Sequence, residues 1–214
     1  MMYMKCHNLA KYYGKTEVFR GLNFQISDNA VVGIKGPNGS GKSTLLKCLA
    51  GLLRPSQGKV TWLFDEKKIE QHLIRYQIGF AAPYIQLYQD LTVHENLIFL
   101  SQVRPAYIES FTLSSKNNPE YLKTLFEIDT IASRTFGTLS SGQQQRVKLA
   151  AALSHSPPIL MLDEPGSNLD QNGFSLVKKM IARQQQSGGM VFLASNRQEE
   201  LAFCTNIIEL NPAQ

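Results

Sequence analysis

Nine consecutive residues, Gly36-Pro37-Asn38-Gly39-Ser40-Gly41-Lys42-Ser43-Thr44, fit the phosphate-binding pattern G-x-x-x-x-G-K-[ST]. Its glycines let backbone N–H groups approach phosphate oxygens without a Cβ in the way. A helix after the loop adds its positive end. Lys42 supplies a full charge for the β- and γ-phosphates, and Ser43 a hydroxyl for Mg²⁺. Far downstream, the apolar run Pro158-Ile159-Leu160-Met161-Leu162 ends in Asp163-Glu164. A carboxylate delivered there by a rigid strand suits the Mg²⁺ shell, although Asp-Glu after a strand is also ordinary chemistry for a helix start. A nucleotide with Mg²⁺ is the expected ligand. No N-K-x-D guanine motif occurs, which disfavours GTP.

These groups need strands and helices to hold them. Ala30-Val31-Val32-Gly33-Ile34 is a short continuous apolar run, as in a strand buried on both faces, and it leads directly into the glycine loop. Leu45, Leu46, Leu49 and Leu53 then carry helical spacing over Lys42–Leu53. Strand, loop and helix are the context that the phosphate motif requires. Before them, runs such as Val18-Phe19-Arg20-Gly21-Leu22-Asn23-Phe24 alternate and predict antiparallel strands up to about Ile26. Gly58–Phe64 and Ile78–Phe80 predict two more strands. From about residue 84 to 140 the pattern becomes mostly helical, with helices predicted at Val93–Val103 and Pro119–Glu127 and a loop at Ser114–Asn118. A helix follows Ser141 to about Leu153. Helix Asp170–Gln186, strand Met190–Ala194, a short helix and strand Asn206–Leu210 complete an α/β pattern. The expected fold class is α/β: a P-loop NTPase core with an N-terminal antiparallel β subdomain and an inserted α-helical subdomain, in a single domain over 1–214.

Composition narrows the class. The chain has 214 residues, 43% hydrophobic and 18% charged, as in a globular protein with a sizeable core. No apolar run approaches the roughly 18 residues of a membrane helix, and no secretory signal opens the chain, so a cytoplasmic location is expected. Lys+Arg exceeds Asp+Glu by five, but the longest basic runs are the pairs Lys67-Lys68 and Lys178-Lys179, too short for a nucleic-acid stripe. No direct nucleic-acid partner is expected. Cys6, Cys48 and Cys204 read as free thiols, and the four histidines show no metal-ligand spacing.

Leu139-Ser140-Ser141-Gly142-Gln143, followed by Gln144-Gln145-Arg146, resembles the signature of ATP-binding-cassette (ABC) ATPases. The resemblance covers essentially the whole chain. Asp163-Glu164-Pro165-Gly166-Ser167-Asn168-Leu169-Asp170 is similar to the family's Walker B and D-loop block, and Leu91-Thr92-Val93-His94-Glu95-Asn96-Leu97 to its LTVxENL segment, read here as structural. The resemblance implies that Glu164 orients or deprotonates the attacking water and that Asp170 couples two sites. It also implies that Tyr13 stacks on adenine, although an ordinary strand aromatic is the plainer reading of that residue. Arg146 reads as a packing and ion-pair residue.

The family resemblance further implies an ATPase working as a head-to-tail homodimer, or with a paired ABC subunit. Gly36 to Thr44 of one chain and Ser140, Ser141, Gly142 and Gln143 of the other would clamp a shared ATP with Mg²⁺. A separate transmembrane permease subunit would hold the chain on the inner face of the membrane. The chain ends soon after its last predicted strand, and short single-cassette chains of this kind resemble small exporter subunits. Aromatics at Tyr84, Tyr88, Phe99, Tyr107, Phe111, Tyr121 and Phe126 read as core, with some available to a partner's helix. The rivals are a soluble non-transport ABC ATPase and an ATP-binding scaffold with weak hydrolysis.

Three positions depart from the family pattern. Pro83 stands where a glutamine usually contacts Mg²⁺ or water, so that role is lost or passes to Tyr84 or Gln86. Asn196 stands at the switch histidine: its amide donates to phosphate but carries no charge. Ser141 replaces the first glycine of the signature. Binding survives these changes more easily than fast turnover does.

Overall fold

The computed structural model describes residues 1–102 and 117–211. The expected loop residues Ser114, Ser115 and Lys116, the aromatics Tyr107 and Phe111, and the tail from Pro212 lie outside the described residues.

Two long strands open the chain, β1 (Met2–Tyr13) and β2 (Thr16–Ser27), joined by a tight turn at Gly14. With β4 (Gln57–Phe64) and the short β5 (Lys67–Ile69) they form an antiparallel sheet in the order β2-β1-β4-β5. The second sheet is parallel. It contains β3 (Val31–Lys35), β6 (Ile78–Ala81), β7 (Ile159–Asp163), β8 (Met190–Ser195) and β9 (Asn206–Glu209), ordered β6-β7-β8-β3-β9. Its helices are α1 (Lys42–Leu49), α5 (Ser141–Ala152), α6 (Gln171–Gln186) and the short α7 (Gln198–Leu201). The one-turn α2 (Gln71–Ile74) precedes β6. Within the expected insert lie α3 (Val93–Gln102) and α4 (Pro119–Leu125).

The inner strands β3, β7 and β8 are apolar up to their last residues because both faces are covered, whereas the edge strand β9 is largely exposed. Successive strand side chains point to opposite faces, so Leu160 and Leu162 pack with α5, α6 and the insert, whereas Ile159 and Met161 pack toward α1 and the antiparallel sheet. Trp62 joins the two sheets' layers. Its Nε1 donates to the Leu49 carbonyl (3.0 Å) at the end of α1, and its ring meets Phe192 of β8 edge-on at 5.9 Å. α1 stops at Leu49, a turn earlier than its leucine spacing predicts, where Gly51 takes φ +71°. Among the described residues no helix is long and apolar enough to cross a membrane.

Residues 84–92, where the helical insert was expected to begin, form no helix or strand beyond a lone bridge of Thr92 to Thr135. Asn96 holds them. Fully buried, its amide nitrogen donates to the carbonyls of Tyr88 (3.0 Å), Leu91 (3.2 Å) and Thr92 (3.0 Å), and its oxygen accepts from the Tyr88 N–H (3.0 Å). Thr92 and Glu95 form the reciprocal capping pair that starts α3. The LTVxENL-like segment is thus structural: one cap and one amide clamp fix a loop that has no regular ladder. Removing that amide strands the Tyr88 N–H and carbonyl and takes a second donor from the Leu91 and Thr92 carbonyls. Asn96→Ala is expected to cost about 2 kcal/mol of stability and to expose residues 84–92 to protease. Chemical denaturation and limited proteolysis read both; an unchanged midpoint with unchanged cleavage would show that the clamp is dispensable.

Candidate functional site

The phosphate loop leaves the end of β3 and runs into α1. A Cβ on Gly36 would lie 2.4 Å from Ser40 Oγ and 2.5 Å from the Leu210 carbonyl oxygen, so only glycine fits. Gly39 and Gly41 take φ +82° and +93°, and a Cβ on Gly41 would sit 2.4 Å from Val18 Cγ1 of β2. No side chain caps the start of α1, which leaves its first N–H groups for an anion. Lys42, buried at its base, donates from Nζ to the carbonyls of Gly36 (2.8 Å) and Pro37 (3.0 Å). Ser40 Oγ is buried and makes no hydrogen bond. Asn38 is exposed on the loop, while Ser43 and Thr44 are half-buried on the first turn of α1.

Parallel register brings the other groups to this edge. Lys35 of β3 pairs with Ser195 of β8, and Asp163 of β7 with Ala194. Glu164 and Asn196 therefore follow adjacent strand ends, and Asn196 Nδ2 donates to Asn38 Oδ1 at 3.3 Å. Glu164 takes φ +48°, a left-handed conformation costly for a side chain of this kind, and its N–H donates to the Ala194 carbonyl (2.9 Å). Burial pushes the Asp163 carboxyl up; hydrogen bonding from Ser43, and less strongly from Tyr84, draws it back. Its Oδ2 remains buried without a partner. A desolvated carboxylate oxygen beside a serine hydroxyl is a hard oxygen donor set that fits Mg²⁺.

Pro83 lies beside this pair. Its carbonyl accepts from Lys148 Nζ (2.9 Å), and the next residue, Tyr84, turns its phenol to Asp163 while Lys47 lies over its ring at 3.9 Å. Gln86, the other candidate for the missing glutamine, is exposed and accepts from Gln89. Tyr13 is exposed near the tip of the β1–β2 hairpin, with Lys11 Nζ 5.1 Å from its ring centre. The same hairpin brings Val18 against Gly41.

The signature residues occupy a different place. Ser140 caps α5: its Oγ accepts from the Gln143 N–H (3.3 Å), and Gln143 Oε1 accepts from the Ser140 N–H (3.1 Å). Ser141 is exposed at the first position of the helix, so a Cβ in place of the usual glycine meets no core. Ser140, Gly142 and Gln143 line a cleft of about 370 Å³ together with Asn168 and Asp170, and no residue of the phosphate loop lines it. Asp170 caps α6, accepting from the Gly173 N–H (2.7 Å), which with Arg146 (3.2 Å) holds its carboxyl below the usual range. Arg146 also pairs with Glu127 at 2.9 Å, so it is the ion-pair residue its position predicts.

Three residues escape sequence reading. Lys148 and Gln145, both on α5, reach the carbonyls of Pro83 and Pro165 (2.9 Å each) and so brace both loops beside Asp163. Glu200 of α7 is buried against Gly166. Polar residues on short or amphipathic helices carry no local signal that they point inward.

Comparison with known proteins agrees with this arrangement. The sulfate/thiosulfate import ATP-binding protein CysA of Methylococcus capsulatus is 30% identical over 215 residues, which cover 100% of this chain and 62% of that protein. A probable CysA from Chlorella vulgaris is 39% identical over 163 residues, covering 76% of this chain and 67% of the relative. The chain thus spans about three fifths of the length of several of the curated relatives it matches. The dimeric structure of the bacterial ABC transporter cassette MJ0796 superposes with a TM-score of 0.79 at 28% identity, over 97% of this chain and 94% of that one. A post-hydrolysis dimer of the same cassette, bound to ADP and Pi, gives 0.79 at 27% identity over the same shares. The family model for ABC transporters matches residues 19–167, and with the phosphate loop, the strand-end carboxylates and the signature helix in place, the chain belongs to the ABC transporter family.

Proposed function

We propose that this chain binds and hydrolyses ATP, and that two copies, or one copy and a paired subunit, close head-to-tail around the nucleotide to drive a membrane-spanning permease. The observation that carries the reading is one sheet edge on which a glycine cradle, a buried Lys42, an unpartnered Asp163 oxygen and Glu164 converge. The signature cleft supports the pairing. It lies apart from the cradle, so a single chain offers two half-sites and a second copy completes each.

Lys42 is held by two loop carbonyls, and the phosphates of ATP draw its charge. Ser43 and Asp163 would hold Mg²⁺, which when bound neutralises phosphate charge, and Tyr84 takes the polar position beside Asp163 that Pro83 leaves vacant. Glu164 accepts a proton from water as the water oxygen bonds to the γ-phosphorus; the bond to the β,γ-bridging oxygen breaks, and ADP leaves with that electron pair. Asn196 donates its amide N–H to a γ-phosphate oxygen. Tyr13 offers its exposed ring to adenine. Contacts to the γ-phosphate from both chains exist only while ATP is intact, so its cleavage reopens the dimer. The exposed Tyr88 and Phe99, packed edge-on at 5.1 Å, offer an aromatic face for a permease helix. That attachment places the chain peripherally at the inner face of the membrane.

Lys42→Ala removes the one full charge in the cradle and is expected to weaken ATP binding by about tenfold or more with the fold intact, as read by calorimetric titration. Unchanged affinity would remove Lys42 from the site. Glu164→Gln keeps size and hydrogen bonding but accepts no proton at neutral pH; turnover is expected to fall by about 100-fold or more. ATP should trap that variant as a dimer in size-exclusion chromatography, and a persistent monomer at saturating ATP would count against the shared site. Asn196→His restores a group that is partly charged near pH 7 and should raise turnover modestly. Histidine titrates around 6.5, so the gain should fade as pH rises. A clear loss of turnover with folding and ATP affinity unchanged would show that the site is built around the amide.

A further inference from the structure

Glu200 is a carboxylate that the proposed reaction does not use. It is 1% exposed, although it lies on a one-turn helix at the surface end of β8, and its Oε2 is buried without a hydrogen bond. Burial pushes its carboxyl up from the usual range. A group this costly to desolvate calls for a compensating role. Its other oxygen, Oε1, accepts from the Gly166 N–H at 3.1 Å. The Gly166 carbonyl accepts from Arg197 Nη1 at 3.3 Å, and the same Nη1 lies 3.8 Å from Glu200 Oε1. Both polar groups of one residue in the segment after Glu164 are therefore held by two residues of the segment after Asn196.

The fit leaves no slack. A Cβ on Gly166 would sit 2.2 Å from Glu200 Oε1 and 3.0 Å from Arg197 Nη1. Arg197 is itself fixed, its N–H donating to Ser195 Oγ (2.9 Å) and its guanidinium lying 5.2 Å from the Phe174 ring centre. The segment so held is under backbone strain: Glu164 and Asn168 take φ +48° and +60°. Such conformations persist only where surrounding structure over-determines them.

We propose that Glu200, with Arg197, is a positioning clasp on Gly166 that keeps the Glu164 carboxylate in register with the Asn196 amide, so that the two loops move as one unit. The proposal rests on the reading that both groups serve the γ-phosphate. Buried beneath Gly166, Glu200 acts through the loop and takes no part in the bond changes.

The test uses the full chain with Mg-ATP. Glu200→Ala should lower kcat by about tenfold or more while the ATP dissociation constant stays within about twofold. Glu200→Gln retains an oxygen acceptor for the Gly166 N–H and should recover most of the rate. Gly166→Ala drives the clasp apart from the other side and should lose a similar factor, and the Glu200→Ala/Gly166→Ala double variant should be no slower than the worse single, the mark of one shared interaction. Hydrogen exchange on nucleotide-free protein gives a second reading. Amides of 165–169 and 195–200 should exchange faster together in Glu200→Ala. An unchanged kcat, multiplicative losses in the double variant, or faster exchange confined to 195–200 would each overturn the clasp. If the wild-type chain neither binds nor hydrolyses ATP, the functional reading falls, and the exchange pattern still decides the clasp. Should Glu200→Ala not fold, Gly166→Ala carries the same exchange measurement: accelerated exchange in both segments supports the clasp, and acceleration in 165–169 alone overturns it.

Discussion

Parallel pairing makes every strand of the larger sheet end at the same edge, and the site depends on that constraint. The carbonyl ends of β3, β7 and β8 are in register, Lys35 beside Ser195 and Asp163 beside Ala194. β6 joins with Ala81 opposite Leu162. Four loops that are distant in sequence therefore leave one edge together: the glycine loop, the Asp163–Asp170 block, the Asn196 segment and the stretch through Pro83 and Tyr84. An antiparallel neighbour would have sent its loop to the far side. Crossover connections in a parallel sheet also bury both faces, which is why β7 has no polar residue until Asp163. The first polar side chain on that strand lies where it leaves the core.

α5 is the brace between the two halves of the chemistry. Its N-terminus carries the signature residues, capped by Ser140 and Gln143, while its inner face reaches back to the loops at the sheet edge. Gln145 holds the Pro165 carbonyl and Lys148 that of Pro83. Burial lowers the Lys148 ammonium pKa, a cost that a surface lysine would not carry. The outer ion pairs of Arg146 with Glu127 and Asp170 contribute little by comparison, since their carboxylates are exposed to solvent. A displacement of α5 by a partner chain would thus reach the loops beside Asp163 and Glu164 through these two hydrogen bonds. The same helix that would receive the second copy's nucleotide supports the first copy's loops.

Much of this was legible in the sequence because it is local. The strand–loop–helix around Gly36–Thr44, the apolar run ending in Asp163, the Ser140–Gln143 cap and the pairing role of Arg146 all depend on residues near one another or on strong periodicity. The long hairpin was legible as alternation, although neither its 12-residue strands nor the added β5 was. What was hidden depends on tertiary approach. The helical insert was expected from about residue 84, yet its first stretch to Thr92 takes an irregular path that the buried Asn96 amide helps to satisfy. Asp170 was read for a role across a dimer, and within the chain its Oδ1 caps α6. Glu200 sits in Gln198-Glu199-Glu200, three polar residues of which only the last turns inward. Nothing in the string distinguishes it from its neighbour.

The two buried carboxylates also join stability to ligand. Burial raises both Asp163 and Glu200, so the unfolded chain ionises them at lower pH than the folded chain does. Their contribution is favourable below the unfolded values and is lost as pH rises through the folded ones. At neutral pH the nucleotide-free fold therefore carries a cost at each. For Asp163 a bound cation offsets it, because a ligand that binds only the folded state stabilises that state by mass action. Glu200 has no such ligand; the Ser195 hydroxyl compensates it first, then Arg197 and the Gly166 N–H. One carboxylate is thus relieved by the nucleotide and the other in part by the loop that adjoins it, and a shift of that loop away from Glu200 would remove the Gly166 N–H from a buried charge. The nucleotide site and the clasp beside it are linked through Asp163–Gly166, four residues that begin as the end of a rigid strand and finish as a strained turn.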